Sequence, residues 1–250
     1  SIETLDAMRT RYSVSSPTYF ANISVGVASC AALYVSGSCN EYVVIYAIYL
    51  PSFKSALPAL LSALILRMPT EVYIRVKDGD ISSTSRTANA CHISLKRGEY
   101  QVNDVWSSEI DNDAIYSVLE EKGRIYTRQY WVTFGYTGSG KTYTVDALLS
   151  RLLNQAKATP TARVSAYQIF GNNVYDILGG NSPLKFYKAD NLVVSGQVHL
   201  PIRNIDHILS VLKKNRASVP TTMNAASSRS HAIINVSSGT HTYTLVDMAG

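Results

Sequence analysis

The sequence predicts an α/β fold in which a central, mixed and largely parallel β-sheet is flanked by helices. From Glu71 onward, short apolar segments with strand patterns alternate with segments whose apolar residues recur at helical spacing. Such an alternation favours a sheet covered by helices. The 250 residues suffice for one large domain, or for a domain of about 180 residues with an extension.

Ten segments carry these patterns, and each has a local reason. The first has the β-branched alternation of a strand, and the first helical segment begins with Asp111, Asn112 and Asp113, which we expect to cap it. The predicted elements are, in order, the strands EVYIRV (71–76) and RGEYQVNDVW (97–106), the helix DNDAIYSVLEE (111–121), the strand YWVTF (130–134), the helix VDALLSRLLNQA (145–156), the strands ARVSAYQIF (162–170) and NVYDIL (173–178), the helix IDHILSVLKKN (205–215), and the paired strands HAIINVSS (231–238) and HTYTLVDM (241–248). The last helix places four apolar residues on one face, namely Ile205, Ile208, Leu209 and Leu212.

Composition excludes few functional classes. The chain has 23 basic and 18 acidic residues, a net charge of +5 and a pI near 9.0, without a long basic run. This mild excess does not predict nucleic-acid binding. The three cysteines, Cys30, Cys39 and Cys91, form no CxxC pair and no zinc-ligand spacing. Free thiols in a reducing compartment are therefore expected.

Residues 1–70 differ from residues 71–250 and are interpreted as an apolar, low-charge N-terminal extension of unknown role. They hold seven charged residues, whereas the rest of the chain holds 34. Two apolar runs flank Lys54, and Pro51 and Pro58 interrupt them. Neither run reaches the roughly 20 residues that a membrane helix needs. A packed extension of helices or strands is favoured over membrane insertion or a wrongly assigned sequence. The polar start SIETLDAMRT does not have the pattern of a signal peptide.

The segment GYTGSGKT, residues 135–142, fits the phosphate-binding pattern G-x-x-x-x-G-K-[ST] between a predicted strand and a predicted helix. Its glycines let successive backbone N–H groups point at a phosphate, and the helix that begins near Gly140 adds the positive end of its dipole. Lys141 would reach the β- and γ-phosphates, and the Thr142 hydroxyl would bind magnesium. The pattern predicts a P-loop NTPase.

Two further motifs follow in the order that a nucleotide switch requires. NAASSRSHAI, residues 224–233, is a cluster of small hydroxyl residues with one arginine and one histidine. LVDMAG, residues 245–250, is an apolar strand that ends in Asp247 and, three positions later, Gly250. The carboxylate can hold a magnesium-bound water, and the glycine N–H can contact a γ-phosphate. Each motif is weak alone, and the three in this order are specific.

Together these motifs resemble the kinesin motor domains. Around the P-loop that family reads close to FAYGQTGSGKTYTM, its first switch reads N-x-x-S-S-R-S-H, and its second switch reads D-L-A-G-S-E. This sequence has WVTFGYTGSGKTYTV, NAASSRSH and DMAG. The segment VSAYQIFGNNVYDIL also resembles the family's VSYFEIYNEEVYDLL. The resemblance covers roughly residues 71–250.

The resemblance implies a site for ATP and Mg²⁺. The residues that would bind ATP are Arg75, Gly135, Tyr136, Thr137, Gly138, Ser139, Gly140, Lys141, Thr142, Tyr143 and Asn224. Those that would act in hydrolysis are Ser227, Ser228, Arg229, Asp247 and Gly250. The magnesium ligands would be Thr142, Ser228 and Asp247, directly or through water.

The sequence departs from the family at several of these positions. Where the family has R-x-R-P for adenine, only Arg75 matches, because Lys77 and Asp78 replace the second arginine and the proline. Tyr136 stands where the family usually has glutamine. Tyr143 occupies a position that often packs against the base, although a helix residue packed in the core is the alternative. For His231, at a predicted strand start, a structural role is favoured over a functional one.

The resemblance implies a motor ATPase of the cytoplasm and cytoskeleton, with microtubules as its partner and neither nucleic acid nor membrane. The sequence stops at Gly250, before the family's remaining track-binding elements, so a truncated or divergent motor domain is expected. Partners would then depend on those elements being supplied. A nucleotide-binding but non-motile domain with a scaffold role is the alternative. A small GTPase is the third hypothesis. It would need a guanine-reading [NT]-K-x-D after the D-x-x-G, and the nearest string, YKAD at residues 187–190, lacks the first residue and lies before it.

Overall fold

The computed structural model describes residues 18–25, 29–36, 41–48, 70–75, 83–86, 91–95, 98–107, 109–135, 138–188, 192–217 and 230–249. Its strands are β1 (Thr18–Val25), β2 (Ser29–Ser36), β3 (Glu41–Ile48), β4 (Thr70–Arg75), β5 (Ser83–Arg86), β6 (Cys91–Leu95), β7 (Gly98–Val102), β8 (Asp104–Trp106), β9 (Arg128–Phe134), β10 (Arg163–Phe170), β11 (Asn173–Asp176), β12 (Ser182–Lys188), β13 (Leu192–Ser195), β14 (Leu200–Pro201), β15 (His231–Ser238) and β16 (His241–Asp247). Its helices are α1 (Asn112–Gly123), α2 (Lys141–Ala156) and α3 (Ile205–Ala217).

A mixed, eleven-stranded sheet organises the described residues. Its order is β13-β12-β11-β10-β15-β16-β9-β3-β4-β8, and β14 also pairs with β10. The pairings from β16 through β9, β3 and β4 to β8 are parallel. Every other pairing in this sheet is antiparallel. The mixed sheet is confirmed, but the expectation of a largely parallel one is wrong in the described chain. Two-residue connections at 171–172 and 239–240 close hairpins, which forces their strands to be antiparallel.

Part of the low-charge N-terminal region belongs to this sheet. Strand β3 lies between β9 and β4 and runs parallel to both. Strands β1 and β2 form a separate antiparallel hairpin, and β5, β6 and β7 form a third sheet. The described part of residues 1–70 therefore forms strands. The boundary between an N-terminal extension (residues 1–70) and a second unit (residues 71–250) stays a prediction. No helix in the described ranges is long and apolar enough to cross a membrane.

The three helices share one apolar core with the sheet. Helix α2 buries Val145, Leu148, Leu149, Leu152 and Leu153, the spacing of one helical face. On the sheet, Trp131 of β9 meets Tyr116 of α1 and Tyr243 of β16 in edge-on ring contacts at 5.8 and 5.6 Å. These contacts pack the middle of β9, three residues before the strand ends, against α1 and β16.

The predicted face of helix α3 is confirmed. Ile205, Ile208 and Leu212 are buried in the same core, and Leu209 is partly buried against it. The C-terminal end of α3 thereby acquires a fixed position next to the sheet.

Helix α1 begins as predicted, but only one of the three polar residues caps it. Asp111 has an extended backbone, and its Oδ1 accepts a hydrogen bond from the backbone N–H of Ala114 at 2.7 Å. Asn112 and Asp113 are already inside the helix. Asn112 is buried, and its Oδ1 instead accepts a hydrogen bond from Arg75 at 3.0 Å.

Replacing Asp111 by alanine is expected to lower the free energy of unfolding by about 1 kcal/mol, because an N–H group of the first turn loses its acceptor. For a domain of this size that corresponds to a fall in Tm of about 2–4 °C in thermal unfolding followed by circular dichroism. Glu121→Ala, an exposed change in the same helix, should stay within about 0.5 kcal/mol of the wild type. Equal effects of the two variants would contradict the capping role.

Candidate functional site

Parallel pairing of β16 with β9 brings the two predicted phosphate motifs together. Asp247, the last residue of β16, is the register partner of Thr133 near the end of β9. The glycine-rich segment begins at Gly135, two residues beyond Thr133. Strand β15 runs the other way, so its first residues lie beside Asp247. The P-loop, the second-switch aspartate and the end of the first-switch motif therefore meet at one edge of the sheet.

The P-loop backbone adopts the conformation that its glycines allow. Gly138 and Gly140 have φ of 83° and 95°, in the left-handed region that disfavours other residues. A Cβ atom at either position would meet nothing within 4 Å. Gly140 is also the N-cap of α2, and no side chain caps the first N–H groups of that helix. An open concave backbone at a helix N-terminus suits an anion.

Lys141 crosses the loop from the first turn of α2. Its side chain is buried, and its Nζ donates a hydrogen bond to the carbonyl oxygen of Gly135 at 2.7 Å. Burial lowers the pKa of this ammonium, the Asp247 carboxylate opposes that effect, and the Arg216 guanidinium adds to it. Negative charge placed beside Lys141 would favour its charged form.

The Asp247 carboxylate is the centre of the site's polar contacts. It is fully buried, and its Oδ2 accepts a hydrogen bond from the Thr142 hydroxyl at 2.7 Å. The same oxygen forms an ion pair with Nη1 of Arg216, at the end of α3. Within the described residues, Asp247 Oδ1 has no hydrogen-bond partner. A buried carboxylate oxygen without a partner is the kind of atom that a metal-bound water satisfies.

The donor set fits magnesium. This ion prefers oxygen ligands, keeps several waters, and is usually held by one or two protein groups plus substrate phosphates. Thr142 and Asp247 supply a hydroxyl and a carboxylate at one place. In the described part of the chain, no group of three or more His, Cys, Asp or Glu side chains could hold a metal alone. Buried Ser139 Oγ, also without a partner among the described residues, adds a further hydroxyl in the P-loop.

Several predicted site residues lie outside the described residues, namely Tyr136, Thr137, Asn224, Ser227, Ser228, Arg229 and Gly250. The last residues of the first-switch motif, from Ser230 onward, are described. Ser230 is fully buried, and Nδ1 of the buried His231 accepts a hydrogen bond from the backbone N–H of Ala249 at 3.1 Å. His231 thus has a structural contact that ties the start of β15 to the segment after Asp247.

Arg75 and Tyr143 are the two predicted adenine contacts that the structure describes. Arg75 is the last residue of β4, which lies two strands from β9 and ends at the same edge of the sheet. At ordinary strand spacing, β4 and β9 are about 10 Å apart. Its guanidinium donates to Asn112 Oδ1 at 3.0 Å and to the Ile110 carbonyl at 2.6 Å. Tyr143 is 68% exposed, so the alternative of a core residue is wrong.

Comparison with known proteins decides the family. The sequence model of the kinesin motor domain matches residues 80–250. The chain belongs to the kinesin motor domain family. Kinesin motor domains are P-loop NTPases that in general bind nucleotide with magnesium. The mixed sheet with its glycine-rich segment is therefore assigned to the P-loop NTPase fold. The match also decides against a small GTPase.

Curated relatives agree with the kinesin assignment over part of the chain. Kinesin-like protein KIN-UC of Arabidopsis thaliana is 33% identical over 127 residues, which are 42% of this chain and 12% of that protein. Kinesin-like protein klp-19 of Caenorhabditis elegans is 31% identical over 131 residues, 42% of this chain and 12% of the relative. Human kinesin-like protein KIFC2 is 27% identical over 174 residues, 60% and 21% respectively. The chain spans about an eighth to a fifth of the length of these relatives.

Sequence reasoning missed one residue of this kinesin site. Arg216 lies in the last turn of α3, is mostly buried, and holds the Asp247 carboxylate. A cation near a helix C-terminus is ordinarily explained by the helix dipole. The sequence signal that could have indicated a role for Arg216 in the site is its position shortly before the first-switch motif.

Acid is expected to destabilise the kinesin chain through His231. Burial lowers the pKa of this imidazole, the Asp247 carboxylate opposes the shift, and Arg216 and Lys141 reinforce it. The unfolded chain takes up the proton near the ordinary value of about 6.5. Stability is thus fully present above about pH 6.5 and is lost as the pH falls toward the lowered folded value.

The measurement is chemical denaturation between about pH 7.5 and 5.5. In His231→Asn the amide oxygen can accept the Ala249 N–H bond but does not titrate, so the loss of stability over this range should shrink. An identical pH dependence in the variant and the wild type would show that His231 does not carry the effect.

Proposed function

We propose that this chain is the nucleotide-binding part of a kinesin motor that hydrolyses Mg-ATP to drive movement along microtubules. The observation that carries the proposal is the hydrogen bond between Thr142 and Asp247, with Lys141 beside them. These residues come from two motifs 105 positions apart. Their meeting at a helix N-terminus is the arrangement that phosphoryl transfer requires, since that chemistry depends on positioning and electrostatic stabilisation.

The phosphates would be bound by the P-loop backbone and by Lys141. The N–H groups of the first turn of α2 have no capping side chain, and Gly138 and Gly140, directly before that turn, have the positive φ of the left-handed region. Lys141 is anchored at Gly135, so its ammonium is held over the loop. Phosphate oxygens next to this buried cation would reverse the lowering of its pKa, which favours their binding.

Magnesium would be held by Thr142 and, through water, by Asp247 and Ser228. When bound, the ion neutralises charge on the transferred phosphoryl group. The protein's own side chains and backbone would position the reacting groups. Ser227, Ser228, Arg229 and Asn224 would orient the attacking water and the γ-phosphate, and the Gly250 N–H would contact that phosphate.

The adenine would lie toward Tyr143 and Arg75. The Tyr143 ring is exposed beside the P-loop, and an exposed aromatic ring offers a face on which a base can stack. Arg75 is at the same edge of the sheet, although its hydrogen bonds to residues 110 and 112 give it a structural task as well.

The proposed partner is the microtubule, and the proposed location is the cytoplasm and its cytoskeleton. Neither nucleic acid nor a membrane is a proposed partner. Support comes from the family match and from the curated kinesin relatives described above. The alternative is a domain of scaffold role that binds nucleotide without turnover. ATP hydrolysis separates the two.

The first test is ATP and GTP binding and steady-state hydrolysis by the purified chain with magnesium, with and without microtubules. We expect ATP turnover that Lys141→Ala lowers roughly 100-fold or more, as removal of a key electrostatic contact does. Lys157→Ala, an exposed change just after α2, is the matched control. ATP binding without turnover would favour the scaffold alternative, and no binding would overturn the proposal.

Tyr143→Ala is expected to weaken ATP binding by at least about 5-fold, because stacking of a base on an aromatic ring contributes about 1–3 kcal/mol. Titration calorimetry of ATP gives the affinity. Ile125→Ala, which also removes an exposed apolar side chain but lies before β9, should leave it unchanged. Equal affinities of the Tyr143→Ala and Ile125→Ala variants would assign the adenine to another surface.

A further inference from the structure

A chain of side-chain hydrogen bonds connects the residues on both sides of the first-switch segment, residues 218–229. On one side, the hydroxyl of buried Ser230 donates to Oε1 of Gln168 at 3.1 Å. Gln168 lies on β10, is fully buried, and donates from its Nε2 to Oδ1 of Asn181 at 2.8 Å. Both ends of the Gln168 amide are therefore used.

The chain continues to the end of helix α3. Nδ2 of Asn181 donates to the carbonyl oxygen of Asn215 at 2.6 Å, and Nδ2 of Asn215 donates to the carbonyl oxygen of Ile177 at 2.7 Å. Asn215 directly precedes Arg216, which holds Asp247. The same network thus fixes the helix end from which the switch segment departs.

Asn181 holds its side chain in this place with an unusual backbone. Its φ is 61°, and among the described residues no other non-glycine residue has a positive φ. Its N–H donates to the Asp176 carbonyl at 2.8 Å, which closes the turn after β11. Asparagine tolerates this conformation better than most residues, at a cost that other contacts must offset. A glycine would adopt it without strain, so the amide group is the reason for an asparagine here.

We infer that Gln168 and Asn181 are positioning residues that hold both ends of the first-switch segment against strand β10. The inference rests on the proposed function for the identity of that segment, but the anchoring contacts do not. Fixing the two ends of a segment removes the loop-closure part of the conformational entropy that the segment would otherwise lose on binding a ligand. Asn224, Ser227 and Ser228 would then reach the γ-phosphate and magnesium at a smaller entropic cost.

The network has matched variants that cut it at defined bonds. Asn181→Gly keeps the positive φ and removes the link to both Gln168 and Asn215. Asn181→Asp can still accept from Gln168 but cannot donate to Asn215. Gln168→Glu can still accept from Ser230 but cannot donate to Asn181. Asn172→Ala, an exposed change in the hairpin turn between β10 and β11, is the control outside the network.

The first measurement is hydrogen exchange of the full chain without nucleotide. We expect the amides of residues 218–230 to exchange about 5- to 10-fold faster in Asn181→Gly, the effect of losing hydrogen bonds of ordinary net strength. Asn181→Asp and Gln168→Glu should show increases at least as large, because each sets a carboxylate oxygen against another acceptor, in Gln168→Glu at a fully buried position. Asn172→Ala should show none. Equal exchange in Asn181→Gly and Asn172→Ala would overturn the inference, whether or not the chain hydrolyses ATP.

The second measurement separates positioning from general stability. In an active chain, Asn181→Gly should lower kcat for ATP about 5- to 10-fold while the affinity for ADP, which lacks the γ-phosphate, changes less than about twofold. A parallel loss of ADP affinity would show a merely structural role, and an unchanged kcat would remove the positioning role. If the wild type lacks turnover, the proposed function fails, and the anchoring is decided by the exchange result alone.

Discussion

The parallel pairing of β16 with β9 is the constraint on which the site depends. Its register sets Asp247 beside Thr133, and the Thr133 hydroxyl donates to the carbonyl oxygen of Val246 at 3.0 Å. Since side chains alternate between the faces of a strand, a slip of one residue would turn Asp247 to the opposite face. The contacts of this carboxylate with Thr142 and Arg216 would then be lost.

Burial of Asp247 in turn makes the surrounding elements depend on one another. A buried carboxylate is tolerated only with charge partners and hydrogen bonds. Thr142 from α2 and Arg216 from α3 supply them. Two helices that share one apolar core therefore also contact the same carboxylate oxygen. Packing of Ile208 and Leu212 therefore does more than cover the sheet, because it determines where the Arg216 guanidinium lies.

Local chemistry explains what the sequence predicted and what it did not. The strand and helix on either side of the glycine-rich segment, the cap of α1 and the apolar faces of α2 and α3 depend on residues close in sequence. The structure agrees with these expectations, except that Asp111 alone caps α1 and Asn112 and Asp113 do not. The position of β3 between β9 and β4 and the antiparallel half of the sheet arise from pairings between distant segments, which periodicity does not encode. The contacts of Arg216 and Gln168 are distant too. Each residue type has an ordinary explanation at its position, and only the folded chain shows which polar atom it meets.

Arg75 shows how a departure from a family motif can be weighed physically. Its Nη1 and Nη2 groups already donate to Asn112 Oδ1 and the Ile110 carbonyl, so the guanidinium fixes the start of α1 relative to β4. A planar guanidinium with its edge nitrogens engaged can still offer its face to an aromatic ring. An adenine contact through that face does not require a second arginine or a proline after it. The altered residues Lys77 and Asp78 therefore weigh less against ATP than the sequence alone indicates, and the exposed Tyr143 ring becomes the more informative position for base recognition.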